Sequence, residues 1–150
     1  GVMTALFFAM VGTVYDQAHT RDMTLFSGLV QRMPLFVFFF GTAGLASLGL
    51  PGLAGFVAEF HVFVGTFETY PWAGALGIFA AMLTAVYILR MWSMSFFGPV
   101  NEQWNDLQEM TYLERGTAVL LLSFMLFMGL WPAPFVDRIQ ESVRNLPGVT

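Results

Sequence analysis

A chain of 150 residues with 57% apolar side chains and only 11% charged ones cannot clothe a globular core in water; soluble domains carry about 25% charged residues. Its net charge is −4 and its six basic residues are dispersed arginines with no lysine, so a basic nucleic-acid-binding patch is excluded. The absence of cysteine removes disulfide, thiolate, iron–sulfur and Cys-based zinc chemistry, and a mean hydropathy of +0.68 points to lipid as the solvent.

The first apolar stretch, Gly1–Tyr15, has no basic leader or cleavage site and does not read as a signal peptide. Fifteen helical residues reach about 22 Å, short of the roughly 30 Å hydrocarbon core. The expectation is the second half of a helix that begins upstream. A polar loop follows, Asp16-Gln-Ala-His-Thr-Arg-Asp22.

The second stretch runs from Met33 to about Phe67. As one straight helix it would measure roughly 52 Å, far more than a bilayer core requires. Its middle reads Ser47-Leu-Gly-Leu-Pro-Gly52. Glycine there costs backbone entropy, and proline removes a donor and clashes with the preceding turn. Two half-helices are therefore predicted, about 34–48 and 53–68, joined by an unwound segment. Non-helical backbone at membrane depth persists only beside protein or a wet cavity.

The third stretch, from Trp72 to about Phe97, has Pro71 placed for a first-turn position. Tyr70, Trp72 and Trp92 suit aromatic belts at its two ends. The fourth, Tyr112 to Trp131, is preceded by the capping-box pattern Thr111-Tyr-Leu-Glu114 and stopped by Pro132 and Pro134. A short amphipathic tail over about 135–146 carries Phe135, Val136, Ile139, Val143 and Leu146 at helical spacing. The whole chain reads as one all-α membrane unit of about four spans, one of them discontinuous near Gly49–Gly52.

Glu59 is the ionisable residue most poised for chemistry. It falls about two turns into the second half-helix, and an intramembrane carboxylate, which costs several kcal/mol, points by default to function. Small residues lie toward the break on its face, at Gly55, which would admit another helix near the Pro-Gly joint. The competing reading is a permanently protonated glutamate in a structural hydrogen bond. His61 lies elsewhere around the same helix and serves either as a second relay point facing another interface or as a histidine hydrogen-bonded within the bundle. Arg90 either snorkels to the interface or forms a buried ion pair that tunes a proton path. Glu68 reads as an interfacial charge. His19 and His61 are too far apart for metal-ligand spacing, and no nucleotide loop or catalytic triad is present.

Several of these segments resemble one family. Tyr15-Asp-Gln-Ala-His-Thr-Arg-Asp-Met23, Ser27-Gly-Leu29, Arg32-Met-Pro34 and Ala46-Ser-Leu-Gly-Leu-Pro-Gly-Leu-Ala-Gly-Phe-Val-Ala-Glu-Phe60 are similar to the antiporter-like subunits of respiratory complex I. The resemblance implies the C-terminal part of a bundle of about fourteen helices containing inverted repeats with broken helices. It implies a proton-translocating subunit of an NADH–quinone oxidoreductase, with Glu59 in the outward half-channel as a proton relay. It further implies that this chain binds no cofactor or metal, while NADH, FMN, iron–sulfur clusters and quinone belong to other subunits. The expected partners are neighbouring antiporter-like membrane subunits and the lipid bilayer, in a bacterial inner membrane or an organellar membrane. The family's lysines and its lysine–glutamate pair would lie before Gly1. Loops 16–32 and 98–111 would face the cytoplasm, in keeping with the arginines there. Two other functions fit the same residues: a subunit of a sodium/proton antiporter or membrane-bound hydrogenase, and a non-transporting scaffold subunit.

Overall fold

In the computed structural model, which describes residues 1–22, 25–99, 104 and 106–145, every regular element is helical. In chain order these are α1 (Val2–Ala18), α2 (Leu29–Arg32), α3 (Pro34–Ser47), α4 (Ala54–Thr69), α5 (Pro71–Ser95), α6 (Tyr112–Leu130) and α7 (Ala133–Arg144). Helices α5 and α6 are long and apolar enough to cross a membrane; α1 and α3 are apolar but shorter. The predicted interruption is present, with a helix of 14 residues (α3) before it and one of 16 residues (α4) after it. Met23 of the loop motif and Leu146 of the predicted tail lie outside the described residues.

Local chemistry explains the boundaries. Thr111 Oγ1 accepts from Glu114 N at 3.4 Å, and a Glu114 oxygen accepts from Thr111 N at 2.7 Å, so the predicted capping box starts α6. Pro71 occupies the first turn of α5, where its missing N–H is not needed. Pro132 and Pro134 end α6, and they also begin α7 directly, since proline is as well suited to a first turn as it is hostile to a helix interior. The short α2 within the first loop was not foreseen; four residues leave no periodic pattern to read.

The core lies between α1, α3 and α6. Leu6 and Met10 of α1, Phe36 and Ala43 of α3, and Ala118 and Met125 of α6 are all buried in it. Helix α4 packs against α5 and α6. The α4–α5 seam is close because Gly74 receives the Phe67 ring and Gly77 the Phe63 ring, each within about 3 Å of where a Cβ would stand. Helix α5 crosses back to α3 at its far end, where Trp92 lies on Gly41 and Gly44 and Phe96 meets the Phe36 and Phe40 rings edge-on. Trp92 is thus a packing residue between two helices and not a belt residue facing headgroups.

The loops that join α1 to α3 and α5 to α6 interlock at one end of the bundle. Gly28 N and Val30 N donate to the carbonyls of Phe97 and Phe96. Ser27 Oγ donates to Pro99 O at 2.7 Å, and Trp104 Nε1 donates to Leu25 O at 2.9 Å while its ring stacks on Phe26. Gln17 and Gln108 exchange a reciprocal pair, Gln17 Nε2 to Gln108 O at 3.1 Å and Gln108 N to Gln17 Oε1 at 2.8 Å.

Candidate functional site at the helix break

The break is built by backbone chemistry that begins at Ser47. Leu50 N donates to Leu45 O and Gly49 N to Ala46 O, each at 3.2 Å. This pair of bonds is the Schellman closure of a helix C-terminus, with Gly49 in the left-handed position it requires (φ 66°). Pro51 follows and cannot rejoin the helix. Gly52 takes a second positive φ of 95°, and Leu53 returns to extended backbone as the N-cap of α4. No side chain caps α4, so its first-turn donors are left facing the unwound segment.

Glu59 reaches back over this segment. Side chains of a helix tilt toward its N-terminus, and the Glu59 carboxylate lies against Gly49: a Cβ there would strike Oε2 and stand 3.0 Å from Cδ. Glycine is therefore needed at 49 twice, for its φ and for the carboxylate above it. Within the described chain Glu59 is half-buried, not fully enclosed, and no hydrogen-bond partner to it is present among the described residues. The small face predicted around Gly55 is used differently from expectation. Gly55 packs on the end of its own partner half-helix, where a Cβ would strike the Ala46 carbonyl. The second helix that approaches the joint is α6, through Gly129, whose missing Cβ would collide with Gly52 O and the Leu53 backbone.

The other sequence-derived candidates are not brought to Glu59. His61 Nδ1 lies 2.7 Å from Val57 O, which requires the proton on Nδ1 and makes it an intrahelical donor. With Gln140, His61 also edges an otherwise apolar cavity of about 270 Å³ between α4, α6 and α7. Arg90 is exposed on α5 and makes no ion pair among the described residues. It shares with Thr4, Ser47 and Tyr87 the polar lining of a cavity of about 540 Å³. Glu68 is exposed near the end of α4.

One site residue escaped the sequence reading. Glu109, in the loop before α6, caps the start of α3: Oε2 accepts from Leu35 N at 2.9 Å and Oε1 from Phe36 N at 3.2 Å. The signal was indirect. Met33 at the N-cap position offers no acceptor and Pro34 no donor, so the next N–H groups had to find one elsewhere.

An all-helical bundle with one helix interrupted near its middle, and an acid folded over the interruption, is the discontinuous-helix architecture found among membrane proteins. The sequence profile described as NADH:quinone oxidoreductase/Mrp antiporter, TM, matches residues 1–84, and the chain belongs to that family. It is 33% identical over 147 residues to NADH-quinone oxidoreductase subunit M of Rhodobacter capsulatus, covering 97% of this chain and 29% of that protein. The subunit M of Escherichia coli strain K12 is 30% identical over 151 residues, with the same coverage of 97% and 29%. The chain thus spans under a third of these relatives' length. A chain of respiratory complex I from Thermus thermophilus with bound NADH superimposes with a TM-score of 0.79 at 28% identity, over 84% of this chain and 26% of that one. A chain of the Mrp complex from Dietzia sp. DQ12-45-1b has the same fold, with a TM-score of 0.79 at 17% identity over 91% and 34%.

Proposed function

We propose that this chain is part of the proton-translocating subunit M of an NADH–quinone oxidoreductase, with Glu59 as a proton relay in the outward half-channel. The observation that carries the proposal is the placement of the Glu59 carboxylate on Gly49, at the one point where the helix opens. An acid there can take a proton from the interior of the membrane and release it past the break, because unwound backbone admits water where a continuous helix would not. Residues 1–150 form one membrane unit, with spans over about 1–15, 33–68, 72–97 and 112–131 and a tail over about 135–146. It lies in the bacterial inner membrane, or an organellar one, crossing it several times beside neighbouring antiporter-like subunits. Flavin, iron–sulfur clusters, NADH and quinone are held by other subunits. The work of this chain is therefore protonic, driven by redox steps elsewhere in the complex.

The test is Glu59→Gln in the full-length subunit within the assembled complex. Protons moved per NADH oxidised should fall sharply while assembly persists; an unchanged ratio overturns the assignment. The shared fold with the Mrp complex favours one second reading, a subunit of a sodium/proton antiporter. Under that reading, proton movement would follow an imposed sodium gradient without NADH.

A further inference from the structure

We infer that α6, with the residues leading into it, is a strut that holds the interrupted helix at its start and at its break, and that Glu109 and Gly129 are positioning residues for Glu59. The inference deepens the relay reading and rests on it for its functional consequence. An interrupted helix has lost the hydrogen-bond continuity that fixes one half against the other. Beyond the direct packing of Gly55 on the Ala46 carbonyl, two contacts are placed to set that relation, one on α6 and one in the residues just before it.

The first contact is at the start of α3. Both oxygens of Glu109 are engaged by the first available donors of that helix, Leu35 N and Phe36 N, and Oε1 also accepts from Met110 N at 3.0 Å. The carboxylate is thereby set at the positive end of the helix dipole. It is one short step from α6: Met110 is buried, its carbonyl accepts from Arg115 Nε at 2.7 Å, and Thr111 is the α6 N-cap. The second contact is at the break. Where a Cβ on Gly129 would stand, the Leu53 carbonyl carbon is 2.5 Å and its Cα 2.6 Å away, with Gly52 O closer still. Unwound backbone lies directly on helical backbone there, with no side chain between.

An unbroken helix thus stands beside a broken one, tied to it at its start through Glu109 and at its break through Gly129. Gly116, on the same α6, has open space where its Cβ would be, so of the two glycines on this helix only Gly129 is in close backbone approach.

The test uses the full-length subunit in its assembled complex, with G129A, E109A, E109Q, E59Q and the control G116A. G129A and E109A should lower protons moved per NADH oxidised by roughly twofold or more, because displacing a reacting group by about an ångström costs it proximity. E109Q, which keeps one acceptor oxygen, should recover part of the E109A loss, and G116A should match the parent. If G129A does not assemble, E109A decides, since loss of a cap leaves the fold without a steric clash. If E59Q pumps poorly while E109A pumps normally per electron, the strut is overturned and the relay reading stands. If E59Q itself pumps normally, the relay reading fails, and the Glu59 carboxyl infrared band, identified by its loss in E59Q, decides the strut. A shift of that band in E109A supports it; an unmoved band overturns it.

Discussion

Gly49 carries two burdens that no other residue can meet together. Its φ of 66° costs an L-residue about 1–2 kcal/mol, and its bare Cα is the floor on which the Glu59 carboxylate rests. Gly49→Ala should therefore lower the thermal stability of the assembled complex by at least about that amount and reduce proton transfer as well. Wild-type pumping in this variant would mean that the contact is incidental. Gly65 provides the opposite case: it sits inside α4 with nothing within 4 Å of an added Cβ. Gly65→Ala should stabilise α4 by about 0.5–1 kcal/mol through helix propensity, seen as a higher melting temperature with unchanged activity. Both positions read simply as glycine in the sequence. The Pro51-Gly52 pair beside one of them marked it as the turn, but the carboxylate above it came from ten residues onward, through helix geometry that spacing alone underdetermines.

At the scale of elements, the parts with local causes were legible and those with distant causes were not. The capping box of α6, the proline boundaries of α5 and α7 and the interruption of the second span each follow from neighbours within a few residues. The cap on α3 comes from a residue 74 positions away, and no periodicity reports such a contact. Trp92 was misread for a similar reason. A tryptophan near a span's end suits a belt, but the glycines that receive it, Gly41 and Gly44, are on another helix. Its buried Nε1 has no partner among the described residues, and an unmade buried hydrogen bond costs about 1–3 kcal/mol. Trp92→Phe should keep most of the packing, remove that cost and leave the melting temperature equal or higher. Trp92→Ala should lower it by about 3–5 kcal/mol equivalent, as large aromatic truncations do. Thr111→Ala should cost about 1 kcal/mol through loss of the capping box, measurable by the same melt.

For the molecule as a whole, large apolar side chains remain outward along α5 and α6: Trp72, Leu76, Val86, Leu120 and Leu130 are all more than 60% exposed. Such a surface calls for lipid or for other protein, and under the proposed function it receives both. The orientation can be tested directly because the chain has no cysteine of its own. Thr20→Cys and Tyr70→Cys, made singly in otherwise cysteine-free subunits, should react with an impermeant maleimide from opposite faces of the membrane. Tyr70→Cys should label from the outside. Labelling of Thr20→Cys from the outside and Tyr70→Cys from the inside would reverse the assignment of loops and the direction given to Glu59, and labelling of both from one face would mean that 33–68 does not cross.

The interlocked loops carry a consequence for how such a frame behaves when acidity changes around it. Amide with amide at Gln17 and Gln108, hydroxyl with carbonyl at Ser27 and Pro99, indole with carbonyl at Trp104 and Leu25, and backbone with backbone at Gly28 and Val30 are all groups that keep their protons across the physiological range. Those fastenings would hold equally in an alkaline and an acidic compartment. Under the proposed function, the relay at Glu59 is thus held at the loop end by fastenings that carry no ionisable group, beside the Glu109 carboxylate that caps α3.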